Sequence, residues 1–431
     1  MTKIGSKLNF IVLTIVVFII LLGNVNYDVE VNNELPLDKG DTAWMIVACA
    51  FVLLMTPGLA FFYGGMVNIK NIISTMLQSF VALGVISVIW ILLGFSLSFG
   101  ESFYGIIGNP FTYFNFEGVT LSPNEDFGST IPFLLFAFFQ LKFAIITPAI
   151  ISGSFAERIR FRSYILYMLL FTLFIYSPLA HMTWHPDGLF RKWGVLDFAG
   201  GTVVHMSAGL AALSGAIYLG KRKKIEEKPA NIPFVILGTG LLWFGWFGFN
   251  AGSALSANFD AVIAFANTNL ASATSMITWI FYDRFFGRKM SAVGACIGAI
   301  VGLVAITPAA GFVTIGQSVF IGFTAAIISN IAIRITKKSN IDDTLDVFPS
   351  HGVGGIVGMI LTAVFAKDVG LIYGSYDLFT AHLLAVLIVV VFTLVISYAL
   401  YKIVDMIMSI RVREDQEERG LDDSQHGELF T

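Results

Sequence analysis

Eleven stretches of this chain are apolar over lengths that can cross a bilayer, at roughly 42–65, 72–99, 130–156, 163–183, 200–219, 231–250, 261–281, 291–307, 312–334, 351–366 and 380–410. A hydrocarbon core about 30 Å thick takes about 20 residues of helix. The polar positions between the stretches are unevenly shared. Basic residues follow every odd stretch: Lys70; Arg158, Arg160 and Arg162; Lys221 to Lys224; Arg284, Arg288 and Lys289; Arg334, Lys337 and Lys338; Arg411 and Arg413. The connection 100–129 has no Lys or Arg, but holds Glu101, Glu117, Glu125 and Asp126. Cytoplasmic loops of membrane proteins are enriched in Lys and Arg. The pattern predicts an all-α polytopic membrane protein with eleven transmembrane helices, its N-terminus outside and its C-terminus cytoplasmic.

A further apolar stretch, 8–22, lies behind Lys3 and Lys7. Its length suits the core of a signal peptide, yet Gly23, Asn24 and Val25 make a poor cleavage site. Residues 1–25 read as a signal peptide or as a short extra helix. Residues 40–413 form the membrane domain. The charged end, 414–431, is a cytoplasmic tail that charge patterning alone assigns to solvent.

Composition supports this class. The chain is 56% hydrophobic and 13% charged, with mean hydropathy +0.79. A soluble fold of this length has no means of burying so much apolar surface, and the alternating segments of a membrane β-barrel are missing. The formal net charge of -3 gives no reason to expect a nucleic-acid partner. Cys49 and Cys296 fall in apolar runs and read as small core residues.

The candidate chemistry lies inside the membrane. His205 ends the run Asp197-FAGGTVV, and His351 ends Asp346-VFPS. An ionisable side chain at that depth is costly and marks a cavity or pathway. The two histidines fall in stretches five and ten, the same ordinal place in each half of a five-plus-five repeat. Neutral imidazoles in a dry pore can hydrogen-bond a polar solute or pass a proton. Their spacing matches no zinc pattern, and neither a metal, a cofactor nor an enzymatic activity is expected. Asp197 and Asp346 read as structural or electrostatic support near helix starts. His181 and His382, near stretch ends, read as satisfied core residues. The run Trp243-Phe-Gly-Trp-Phe-Gly-Phe-Asn250 reads either as an interfacial belt or as a pore wall whose rings attract a cation. Ser253 follows one turn later, and Trp184 stands at the external end of stretch four. Lys142, next to Phe143, is the odd charge; it is expected to face away from the pore, toward a carboxylate, a carbonyl cluster or the external headgroups.

The strings PGLAFFYGGM, AERIRF, DFAGGTVVH, GWFGFNAGS, TPAAGFV, DDTLDVFPSHGVGGIVG and RVREDQEERGLDDSQHGE resemble the ammonium transporter (Amt/Mep/Rh) family, on its Amt branch, from about residue 40 to 427. The resemblance implies a plasma-membrane homotrimer of eleven-helix protomers, each with its own pore and an inverted repeat. It implies that Trp184, Phe143 and Ser253 recruit ammonium, that Phe143 and Phe249 form a ring gate, and that His205 and His351 are the pore pair. Trp246 and Thr307 fall along the pore, and Asp197 supports the vestibule. The GLD and HG of the tail resemble a part that packs on the cytoplasmic face, where a PII signalling protein (GlnK) docks in bacterial and archaeal relatives. Two departures stand out: Lys142 beside the gate, and a longer connection between Trp184 and Asp197.

The function implied is recruitment of ammonium, its deprotonation, and conduction of ammonia past the two histidines, with net electrogenic uptake. Three alternatives stay open. One is an ammonium sensor using the same site. Another is an Rh-like gas channel, against which the intact Trp184 and Ser253 argue. The last is an unrelated membrane enzyme, which lacks an accompanying nucleophile.

Overall fold

In the computed structural model, residues 3–23, 37–225 and 228–430 are described. Lys3–Gly23 (α1) precedes a helical body made of Lys39–Met66 (α2), Ile69–Phe99 (α3), Phe133–Ser154 (α4), Phe161–Lys192 (α5), Gly201–Leu219 (α6), Ile232–Gly252 (α7), Phe259–Phe285 (α8), Ala292–Ile306 (α9), Ile315–Lys338 (α10), Phe348–Phe365 (α11) and Tyr376–Ile407 (α12). Two short antiparallel hairpins, one pairing Ser102 with Gly108 and one pairing Asn124 with Gly128, fill the long acidic connection. The cleavage question turns on Gly23, Asn24 and Val25, and residues 24–36 lie outside the described residues.

Among the described residues, nine helices are long and apolar enough to cross a membrane. The other two expected places are filled by α8 and α9. Helix α8 has 27 residues but is too polar to register by hydropathy, while α9 is apolar but has only 15 residues. Packing between the two explains the polarity of α8. The Ser272 and Ser275 hydroxyls of α8 donate to the Ala299 and Gly298 carbonyls of α9 at 3.0 and 2.6 Å. Polar side chains that would be costly against lipid are thereby satisfied between helices.

Helix starts fall where side chains can cap them. Asp38, Asn231, Asn258 and Ser291 accept backbone N–H groups from the first turns of α2, α7, α8 and α9. Thr314 and Gln317 form a reciprocal capping box on α10, satisfying donors that a helix end otherwise leaves open.

Two expectations change. First, α11 begins at Phe348, ahead of the expected 351, so His351 lies within a turn and not at the helix start. Second, the tail is not the solvated end that charge patterning alone gave; it packs on the helical body, as the resemblance implied for its GLD and HG. The Asp422 carboxylate accepts the Ile73 and Ser74 N–H groups at the start of α3, and the Leu421 N–H donates to Asn71. Glu417 pairs with Arg411, and the His426 ring meets Phe161 edge-on. These interactions outweigh the charge pattern that pointed to solvent.

Candidate functional site

The two buried histidines sit in the first turns of α6 and α11. Gly201–Met206 and Phe348–Val353 are π-helical turns, carrying His205 and His351 respectively. Such wide turns concentrate at functional sites. Both are held at their N-terminal ends by carboxylates. Asp197 Oδ1 accepts the N–H groups of Gly200 and Gly201 at 2.8 and 2.6 Å; Oδ2 accepts the Thr202 N–H and hydroxyl at 2.7 and 2.5 Å. Gly200 sits at φ 114°, a conformation that needs glycine. In the second half the cap is Asp343, whose Oδ2 accepts the Phe348 N–H at 2.7 Å. Asp346, singled out from the sequence for this half, instead pairs with Lys337 at 3.2 Å. The signal for Asp343 was available: seven residues separate both Asp197 from His205 and Asp343 from His351.

Helices α6 and α11 touch closely just beyond the histidines. A Cβ on Gly209 would lie 2.1 Å from the Gly352 nitrogen. Only glycine permits that approach, and it brings the imidazoles into contact.

The aromatic residues form a column leading to this contact. Phe143 meets Trp184 edge-on at 5.9 Å between centroids and lies 4.2 Å from Phe249. Phe249 is 5.9 Å from the His205 ring, and His205 is 5.4 Å from His351. Trp246 stacks on His205 at 5.3 Å. Phe143, Phe249, His205 and His351 are all buried. Ser253 stands one turn beyond Phe249 and donates its hydroxyl to the Phe249 carbonyl at 2.8 Å, which leaves oxygen lone pairs to accept an N–H. The connection after Trp184 folds back so that the indole N–H donates to the Asp197 carbonyl at 3.2 Å. A short helical turn, Leu189–Lys192, ends α5 past this bend, and Asp187 pairs with Lys192 at 2.7 Å.

Thr307 fixes the protons on the pair. Its hydroxyl donates to the Leu303 carbonyl at 2.8 Å and accepts the Trp246 N–H at 3.0 Å. The His205 Nε2 stands 3.3 Å from Thr307 Oγ1, and with the hydroxyl given to Leu303 the tautomer that pairs here carries its hydrogen on Nε2. His205 Nδ1 is then an acceptor, and His351 Nδ1, 3.3 Å away, must donate to it. His351 Nε2 keeps a free lone pair. Around the two rings the wall is apolar, with Met55, Leu59, Phe62, Ile146, Leu242 and Ile300.

The remaining candidates fall outside the column. His181 contacts the Ser98 carbonyl and the Ser102 hydroxyl; His382 accepts the Leu196 N–H and contacts the Met359 carbonyl. Both are satisfied core residues. Cys49 and Cys296 are buried free thiols. Lys142 Nζ lies 5.6 Å from the centroid of the Phe138 ring, off the column. Two arginines counted among the basic loops are internal. Arg158 is buried and bonds Thr344, Ser154 and Asp342; Arg222 bridges Glu157 and Asp342 at 2.8 and 2.9 Å. Burial lowers the Arg158 guanidinium to about 10, with the Asp342 charge opposing the shift.

Comparison with known proteins agrees with this architecture. The sequence profile of the Ammonium Transporter Family matches residues 43–430. An ammonium transporter of Aquifex aeolicus is 45% identical, covering 92% of this chain and 94% of its own. One of Bacillus subtilis is 43% identical over 91% and 98%. Among solved structures, Saccharomyces cerevisiae Mep2 superposes with TM-score 0.82 at 34% identity, covering 88% of this chain and 89% of its own. A protein described as a Sensor Amt Protein superposes with TM-score 0.84 at 30% identity, over 90% and 98%. With its apolar helices, its paired π-helical turns and relatives along nearly its whole length, this chain belongs to the ammonium transporter family.

Proposed function

We propose that the chain takes up ammonium electrogenically by separating the ion into ammonia and a proton. The observation that carries this reading is the unbroken column Trp184–Phe143–Phe249–His205–His351, with successive centroids 4.2 to 5.9 Å apart. A bare cation leaving water loses many kcal/mol of hydration. Trp184, Phe143 and Ser253 offset part of that loss, with a cation–π contribution of about 2 kcal/mol in a desolvated site. Phe143 and Phe249 then close the route to a hydrated ion. Beyond them the wall is apolar, so neutral ammonia crosses at lower cost than ammonium, while the proton travels over His205 and His351. K⁺ matches ammonium in charge but has no proton to shed, and so is rejected.

The same reading includes eleven membrane-spanning helices in an inverted five-plus-five repeat, with α2 starting outside and the tail in the cytoplasm of a plasma-membrane protein. It includes a homotrimer. Asn269 is exposed midway along α8, where a neighbouring protomer would accept it better than lipid. A PII-type partner on the cytoplasmic face is supported by the basic loops and the docked tail. The docked tail also favours a second reading, an ammonium sensor whose output leaves through it.

Purified protein in a defined bilayer separates these readings. Ammonium but not K⁺ should evoke a current. Ammonia equilibration without current indicates a gas channel, and binding without either indicates a sensor.

A further inference from the structure

Asp197 and Asp343 stand at the same spacing before the two histidines, yet their oxygens are used differently. Each Asp197 oxygen accepts two hydrogen bonds, so the carboxylate is saturated. Asp343 Oδ2 accepts the Phe348 N–H, while its Oδ1 is buried with no hydrogen-bond partner among the described residues. The nearby Ser154 hydroxyl is committed to the Ala212 carbonyl at 2.7 Å. A buried carboxylate oxygen left open is costly unless it takes a proton or a water.

Asp343 also lies close in sequence to residues that wall a cavity beside His351. On the far side of the histidine pair from Phe249, a small cavity is walled by Phe62, Tyr63, Leu345, Val347, Ser350 and His351. Leu345 and Val347 of that wall lie two and four residues after Asp343, and the segment is pinned by the Thr344 and Leu345 N–H groups donating to the Ser154 and Gly153 carbonyls. The Tyr63 phenol is within electrostatic reach of Asp343. Other charged groups around it are Asp346 with its partner Lys337, Asp342 with Arg222, and Arg158. Burial, and then the Asp346 charge, raise the Asp343 carboxyl to about 7, where it exchanges protons under physiological conditions.

We propose that Asp343 is the station through which the proton leaves the histidine pair for cytoplasmic water. The N–H bond of a protonated His351 breaks, with its electron pair staying on nitrogen. Water in the cavity relays the proton, an O–H bond forms at Asp343 Oδ1, and that bond then breaks to bulk water. Asp197, with no oxygen to spare, holds its π turn and takes no part in the transfer. The inference rests on the proton-relay reading of the pore.

The test compares Asp343→Asn and Asp343→Glu in proteoliposomes. The asparagine oxygen still accepts the Phe348 N–H but carries no exchangeable acid. Two quantities are read: ammonium-evoked current, and equilibration of ¹⁵N-labelled ammonia with no voltage imposed. Asp343→Asn should lose current at least tenfold while ammonia equilibration stays within about twofold of wild type. Asp343→Glu should conduct, with a shifted dependence of current on cytoplasmic-side pH. Wild-type current in Asp343→Asn overturns the proposal, as does loss of ammonia equilibration together with current in a protein that melts normally. Should the asparagine variant fail to fold, an unchanged pH dependence in Asp343→Glu overturns it. Wild-type current in a His205→Ala, His351→Ala double variant would mean that the relay itself is wrong, whatever Asp343 does.

Discussion

Nδ1 of His205 and Nδ1 of His351 face each other at 3.3 Å, with a single proton between them. The fixed tautomers make the pair polar: His351 donates toward His205, and the free lone pair lies on the His351 side. Under the proposed relay, the pair therefore offers one basic nitrogen, not two. Replacing either histidine with alanine removes that base or its support. Ammonium-evoked current should fall at least tenfold in His205→Ala and in His351→Ala, with the oligomer intact by size-exclusion chromatography. Undiminished current that still discriminates against K⁺ in the double variant would contradict a relay.

Thr307 should matter through its lone pairs rather than its bulk. Thr307→Val keeps the shape but strands the buried N–H groups of Trp246 and His205, at a cost of about 1–3 kcal/mol for a lost buried partner. It also releases the His205 tautomer. Thr307→Ser restores both bonds. We expect the valine variant to lower the melting temperature and to shift ¹⁵N imidazole resonances of His205 toward a tautomer mixture, and the serine variant to do neither. A His205 spectrum unchanged in Thr307→Val would show that the hydroxyl does not set the proton.

Phe249 should gate. It lies between Phe143 and His205, touching both, and Ser253 is bonded back to its carbonyl. Phe249→Ala leaves the backbone acceptor in place and removes only the ring. Conduction should change in rate or in ammonium-over-K⁺ selectivity by at least tenfold, while binding of ammonium at the outer site persists. Retained rate and selectivity together would move the gate elsewhere.

Most of the spans, and the histidines that the fold brings into contact, were legible from the sequence because membrane depth makes polar residues rare. A histidine such as His205 in an apolar run carries information that a surface histidine does not. What stayed hidden was local. Asp346 drew notice by standing closest to His351, but the backbone turns at φ 54° there and sends its carboxylate to Lys337, leaving the cap to Asp343. Comparing the two halves residue by residue would have found it. For the tail, charge patterning alone pointed to solvent while the resemblance of its GLD and HG pointed to packing; Asp422 is held by backbone N–H groups that no charge pattern shows. The internal roles of Arg158 and Arg222 were masked likewise, since a basic cluster reads the same whether it faces water or a buried carboxylate.

Burial of Asp343 should appear as a pH-dependent stability term. Its folded-state value of about 7 is raised above the ordinary carboxyl value of 3.8, so the folded protein holds the proton more tightly than the unfolded chain. The stabilisation is complete below about pH 4 and is lost as pH rises through about 7. At roughly 1.4 kcal/mol per pH unit, the term reaches at most about 4 kcal/mol. Asp343→Asn carries no such term. Its melting temperature in detergent should exceed that of wild type at pH 8, with the gap closing by pH 4. A gap that is constant across this range would show that Asp343 titrates as an ordinary exposed acid.

Lys142 should be nearly silent in transport despite its place beside the gate. A fixed cation about 6 Å from the recruitment site would repel ammonium by roughly 3 kcal/mol at an effective dielectric near 20. That is more than the cation–π gain the site offers. The helix avoids the conflict. Successive side chains point about 100° apart, so Phe143 faces the column while Lys142 turns outward, its Nζ over the Phe138 ring one turn away. The carboxylate or carbonyl partner expected from the sequence is replaced by an aromatic face, with the Cys49 side chain also close by. A cation over a ring is compensated less than one paired with an anion, so its removal should not destabilise the helix. Lys142→Met keeps the length and apolar stem. We expect its half-saturating ammonium concentration and maximal current to stay within about twofold of wild type, with a melting temperature equal or higher. A tenfold tightening of ammonium affinity would show that the charge reaches the vestibule after all, and recruitment would then have to be explained with a standing cation at its edge.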